Sequence, residues 1–132
     1  MSPQAKILIV DDDPVLVKAT TVILESANYQ VVAAYDGDEG LEKVASEKPD
    51  LIILDIIMPN KDGFAVCEEL KCDPNYADIP IIMLTSFAEK RGETNIPVSA
   101  GLTLEAEDYI DKPVRPDELL FRVGRLLKKK GV

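Results

Sequence analysis

Residues 6–16 read KILIVDDDPVL, and the rest of the chain takes its meaning from this stretch. Residues 6–10, with their apolar run at 7–10, suit a buried strand, and Pro14 suits the first turn of a helix, where its missing N–H costs nothing. Between them stand Asp11, Asp12 and Asp13. Consecutive carboxylates repel one another and resist burial, so a strand that stops on three of them delivers charge to the edge of a core.

The same alternation recurs along the chain. Val15, Ala19, Val22, Ile23 and Ala27 fall at helical spacing and predict an apolar helix face. Residues 30–34 read as a second strand, and the Asp36–Gly37 turn leads into a helix over 39–46 that Pro49 and Asp50 end. Residues 51–54 are again continuously apolar. Pro59 and the KDG turn at 61–63 then break the chain before a helix over 64–71. A fourth strand is read over 79–84, admitting Pro80 near its start, and a very short fifth over 108–110. Pro116 opens a last helix with Leu119, Leu120, Val123, Leu126 and Leu127 on its apolar face. Strands that are near-continuous apolar runs, each followed by a helix, predict a parallel sheet covered on both faces. Such sheets bind ligands at the carboxyl ends of their strands. The residues there are Asp11, Asp12 and Asp13, then Asp55, Thr85 and Ser86, and Asp111, Lys112 and Pro113.

Composition narrows the classes. A length of 132 residues suits one domain, and a hydrophobic share of 46% is enough for a proper core. With 24 acids against 15 bases the formal charge is −9, which argues against direct nucleic-acid binding and suits a protein that collects a cation. No apolar run is long enough to insert in a membrane, and the aspartates interrupt the only early segment that could resemble a signal peptide. Cys67 and Cys72, with no histidine anywhere, make neither a zinc site nor a disulfide framework. They read as two thiols of a cytoplasmic protein.

Several acids in one cleft are costly unless a cation neutralises them, and an all-oxygen set suits hard divalent Mg2+. A carboxylate in that company can act as a nucleophile toward a phosphoryl group, with the metal on one side, Lys112 on the other and a hydrogen bond from Thr85. Asp55 stands alone after LIIL and before Ile56 and Ile57, as such a nucleophile should. By itself it could equally cap the following turn; the joint arrangement of acids, hydroxyl and lysine favours the chemical role.

This arrangement resembles the receiver domain of bacterial two-component response regulators. Four ordered motifs carry the likeness across essentially the whole chain: ILIVDDDP, PDLIILDIIMPNKDG, PIIMLTS and EDYIDKPVRPDEL. The resemblance implies a flavodoxin-like α/β fold, a doubly wound five-stranded parallel sheet of order 2-1-3-4-5, as one receiver domain over 1–132 with no effector domain. Asp55 would be the phosphoacceptor and a magnesium ligand. Asp12 would be the direct carboxylate ligand, Asp11 would act mostly through metal-bound water, and the Ile57 backbone carbonyl would complete the set. Thr85 and Lys112 would hold phosphoryl oxygens. Tyr109 would be the aromatic switch, although it could also be simply a half-buried edge residue. Pro113 would follow a cis peptide bond that places the lysine. Asp13, just before Pro14, is well placed to cap the first helix.

The implied donor is a sensor histidine kinase or a histidine phosphotransfer protein. Phosphorylation would then shift the face built by the fourth helix, fifth strand and fifth helix toward a downstream protein of unknown identity, or toward a phosphorylation-dependent dimer. The only catalysis implied is the domain's own phosphorylation and dephosphorylation. One alternative is a receiver-like interaction module that is not phosphorylated. Another is a metal-dependent phosphatase, which would want a second acid where Ile57 stands. The chain departs from the family in the long segment 90–107, which carries Arg91–Gly92 and Ile96–Pro97, and in EAEDY where the family often has GADDY. Ile57 and Phe87, two positions past Asp55 and Thr85, would flank the path of the attacking water. Both are large and apolar, which predicts a comparatively long-lived phosphoryl group.

Overall fold

The computed structural model describes residues 4–58, 61–85 and 106–130. Five strands, β1 (Lys6–Val10), β2 (Gln30–Ala34), β3 (Leu51–Asp55), β4 (Ile81–Thr85) and β5 (Asp108–Asp111), form one parallel sheet in the order β2-β1-β3-β4-β5. The helices are α1 (Pro14–Ser26), α2 (Gly37–Glu47), α3 (Gly63–Cys72) and a C-terminal helix, Pro116–Lys130. The doubly wound architecture and strand order are those the sequence implied.

Alternate residues of the central strands enter opposite cores. Ile7, Ile9, Leu51, Ile53, Ile82 and Leu84 pack under α1 and the C-terminal helix, with Leu24, Leu119 and Val123. Leu8, Val10, Ile52, Leu54, Ile81 and Met83 pack under α2 and α3, with Val44, Val66 and Leu70. Both faces of β1, β3 and β4 are therefore dry, which is why these segments carry no polar alternation. Each fully buried Leu or Ile side chain contributes about 1.5–3 kcal/mol relative to exposure.

Helix starts follow the aspartates. The Asp13 carboxylate accepts from the N–H groups of Val15 and Leu16, Asp36 from Glu39, and Asp62 from Ala65. Each satisfies donors that no helical carbonyl can reach.

Two readings need correction. The residues read as the apolar face of α1 divide between core and surface, for Ile23 packs against the core whereas Val15, Ala19 and Val22 face outward. Val15 is 76% and Val22 60% exposed, while Val17, Thr20 and Leu24 are buried. α1 carries two apolar stripes that meet at Ile23, and the inward one contains a threonine, so hydrophobic spacing mixed the two. The fourth strand begins at Ile81, not Ile79, and runs through Thr85. Ile79 donates its N–H to the Tyr76 carbonyl in the preceding turn. Pro80 has no N–H and joins the sheet only by accepting from Ile52 at 3.0 Å.

Candidate functional site

The carboxyl ends of β1, β3, β4 and β5 lie side by side, and they carry the chemistry. One oxygen each from Asp11, Asp12 and Asp55 can be chosen so that all lie within 4.8 Å of one another. Asp11 is fully buried, Asp55 is 4% exposed, and Asp12 faces solvent. The Lys112 ammonium reaches across from the end of β5, 3.2 Å from Asp11 Oδ2 and 3.3 Å from Asp55 Oδ1. The peptide bond between Lys112 and Pro113 is cis, and the Lys112 N–H donates to the Thr85 carbonyl at 2.7 Å.

Asp11 is oriented from within its own turn, because Asp13 N–H donates to Asp11 Oδ1 at 2.9 Å. Asp13 thus has two tasks, helix cap and second anchor of Asp11; the sequence reading found only the first. Among the described residues Asp11 Oδ2 has no well-aligned hydrogen bond, and its one close cation is the Lys112 ammonium at 3.2 Å. A buried anionic oxygen lacking a well-aligned hydrogen bond, facing two further carboxylates, is a donor set for a hard divalent cation. The cluster is poised to coordinate such a metal.

The electrostatics agree. Burial, reinforced by the charge on Asp11, pushes the Asp55 carboxyl from 3.8 up to about 6 against the pull of Lys112 and a backbone hydrogen bond at Ile57. Burial also raises Asp11, opposed by the Asp13 backbone and Lys112. Burial alone would lower Lys112, but the carboxylates of Asp55 and Asp11 outweigh it and hold the ammonium above its ordinary value. Desolvation raises the Tyr109 phenol, with Cys67 and Glu107 adding to the shift.

Thr85 is buried at the end of β4, one position beyond Leu84, the residue in register with Asp55. Tyr109 lies in β5 with its ring partly buried against the core under α2 and α3. Ile57 is partly exposed just past the Asp55 strand end. Phe87 and Ser86, and most of the segment 90–107, lie outside the described residues.

Gly63 belongs to the site by proximity, which the KDG turn alone did not reveal. Its N–H donates to the Ile56 carbonyl at 2.7 Å. A Cβ there would stand 2.3 Å from the Asp55 carbonyl oxygen and 2.8 Å from Ile56 Cα. Both contacts are with backbone, so Gly63→Ala must move either α3 or the strand end that presents Asp55. It should cost about 2 kcal/mol by overpacking, seen as a lower urea midpoint. Metal affinity should fall with it.

The model of the response regulator receiver domain matches residues 7–124. Among curated relatives, the DNA-binding dual master transcriptional regulator RpaA of Synechocystis is 40% identical over 124 residues, 94% of this chain and 49% of that protein. The chain spans about half the length of the curated relatives it matches. A signal receiver domain of a histidine kinase from Syntrophus aciditrophicus superposes with TM-score 0.85 at 37% identity, covering 95% of this chain and 91% of that one. The receiver domain of a sensor histidine kinase from Pseudomonas aeruginosa, solved with magnesium in its active-site cleft, superposes with TM-score 0.82 at 27% identity, covering 96% and 99%. Family match, sheet order and an acidic cluster at the strand ends converge on one assignment: the chain belongs to the response regulator receiver domain family.

Proposed function

We propose that Asp55 accepts a phosphoryl group from a phosphohistidine of a sensor histidine kinase or histidine phosphotransfer protein, and that this chain works as a phosphorylation-controlled switch. The carrying observation is the placement of Lys112 between the buried Asp55 and Asp11 carboxylates at the acidic strand ends. The 132 residues contain no histidine, so the donor histidine lies outside them.

In the transfer, an Asp55 carboxylate oxygen attacks phosphorus. The new P–O bond forms as the bond from phosphorus to the donor's imidazole nitrogen breaks, and that nitrogen leaves with the electron pair. Asp55 must be ionised to attack, and a carboxyl near 6 is largely so at pH 7. Lys112, held cationic by its two acidic neighbours, gives up its contact with the Asp55 carboxylate and follows the charge onto the phosphoryl oxygens. The Thr85 hydroxyl is the second donor to those oxygens. Asp11, Asp12, Asp55 and the Ile57 carbonyl would hold magnesium, which when bound supplies Lewis-acid neutralisation of the phosphoryl charge. Hydrolysis of the acyl phosphate returns the domain to its first state, so there is no turnover of an external substrate.

The exposed stripe of α1 supports the docking of the donor. Val15, Ala19 and Val22 line an apolar groove with Pro14, Lys18 and Ile23. A second depression joins it to Asp13, Pro113 and Val114, beside the acidic cluster. A helix of the donor laid on this stripe would bring its histidine to the strand ends. Val22→Glu should leave stability within about 0.5 kcal/mol, since the position is exposed. It should slow transfer from the histidine protein about tenfold, leaving phosphorylation by acetyl phosphate unchanged. Equal slowing with both donors would remove α1 from the docking surface.

The test of the main reading is incubation with acetyl phosphate and magnesium followed by intact mass. Wild type should gain one phosphoryl group and Asp55→Ala none. No adduct under any donor would favour the module that is not phosphorylated. A separate assay addresses lifetime: after loading, Ile57→Asn with Phe87→Glu should release phosphate faster than wild type, and equal release would show that these side chains do not exclude water.

A further inference from the structure

Lys71 is a charged side chain with no part in the chemistry above, yet it is only 6% exposed. Its ammonium donates to the carbonyls of Ala77 at 3.1 Å and Ile79 at 3.0 Å, and to Glu107 Oε1 at 2.6 Å. Three donors meet three acceptors, so the ammonium is saturated by protein. Glu107 completes the arrangement. Its other carboxylate oxygen accepts from Ile81 N–H at 2.5 Å, and its own N–H donates to the Ile81 carbonyl at 2.9 Å. Glu107 thus grips both polar groups of the first residue of β4.

The consequence lies at the far end of β5. This strand has four residues and closes the edge of the sheet, paired with β4 alone among the described strands. So short an edge strand gains little from its own ladder, and a slip by one residue would turn its side chains to the opposite face. From the anchored Glu107 the register runs Asp108 with Ile82, Tyr109 with Met83, Ile110 with Leu84 and Asp111 with Thr85, and the next residue is Lys112. The anchor at Ile81 therefore fixes where Lys112 leaves the sheet, and so whether its ammonium reaches Asp11 and Asp55.

We propose that Lys71 is a positioning residue for Lys112: through Glu107 it fixes the register of β5 from which Lys112 reaches the site. The inference rests on the phosphoryl-acceptor reading for its kinetic consequence. It does not need it for its structural one.

The experiment compares wild type, Lys71→Met and Glu107→Gln at a temperature where circular dichroism shows all three folded. The methionine keeps an apolar stem in the buried channel and removes the charge. The rate of phosphorylation by acetyl phosphate at saturating magnesium should fall about 10- to 100-fold, the scale of a misplaced catalytic group. Magnesium affinity by calorimetry should not fall, because the carboxylates that would hold the metal lie at the ends of β1 and β3 and lose only the competing charge of Lys112. The double variant should be no slower than either single one, since the two residues act as a unit. Hydrogen exchange at the Lys112 amide, which donates to Thr85, should accelerate in each variant. A wild-type rate in Lys71→Met, a parallel loss of magnesium affinity, or additive losses in the double variant would each overturn the proposal. If wild type itself takes up no phosphoryl group, the functional reading fails. The Lys112 amide then decides the matter alone, and unchanged exchange there would overturn the role of Lys71.

Discussion

Without metal, Asp55→Asn should make the protein more stable at pH 8, and Lys112→Met should make it less stable. The sign follows from the site's proton affinity. Folding raises the Asp55 pKa from 3.8 to about 6, so between those values the folded chain binds more protons than the unfolded chain. Stability must then fall as pH rises through that window, and the ionised carboxylate is a net liability above it. Asparagine removes the liability, and with solvent screening the gain is about 2 kcal/mol at pH 8, shrinking to a small remainder near pH 4, where the carboxyl is protonated in the folded chain and partly so in the unfolded one. Lys112→Met does the reverse. It leaves Asp11 and Asp55, both nearly inaccessible, facing each other without their cation, at a cost of about 3 kcal/mol at pH 8. At pH 4 that cost should shrink, since the raised pKa values let both carboxyls take up protons. Urea midpoints of the three proteins at the two pH values, in the presence of a chelator, measure all of this. Destabilisation by Asp55→Asn at pH 8 would show that the Lys112 ion pair outweighs burial and would reverse our account of the site.

The same opposition explains what could be read from the sequence. Uninterrupted apolar runs at 7–10, 51–54 and 81–84 have one explanation, burial on both faces, and the acids after two of them mark the functional edge of the sheet. The order of strands is not in the runs themselves; it came from the family likeness. The α1 pattern is ambiguous because its exposed side is apolar too, so spacing alone does not separate it from the side that Leu16, Val17, Ile23 and Leu24 turn to the core. Val15 and Val22 look like core, whereas Thr20, which is core, does not. Gly63 and Lys71 were missed because their significance is contact across the sequence. One lies against the backbone of Asp55, and the other meets Glu107 thirty-six positions away. No local spacing signals either.

Asp12→Ala should abolish magnesium-dependent phosphorylation while leaving the fold nearly untouched. Of the three aspartates after β1, Asp12 is the one whose carboxylate is not committed to holding the turn. Asp13 caps α1, and Asp11 has one oxygen taken by the Asp13 amide and the other beside Lys112. Asp12 is exposed, yet an oxygen of it falls within the same 4.8 Å cluster as the buried pair. An exposed side chain adds little to stability, so the urea midpoint should move by no more than about 0.5 kcal/mol equivalent. The phosphorylation rate should fall at least about 100-fold, as when a group that neutralises transferring charge is lost. The two readouts together are decisive, because a variant that merely misfolds lowers both. Partial recovery at high magnesium would identify Asp12 as a ligand whose loss weakens affinity. Normal phosphorylation at low magnesium would instead move the metal site onto Asp11 and Asp55 alone, and would make the middle aspartate of VDDDP a bystander to the chemistry on either side of it.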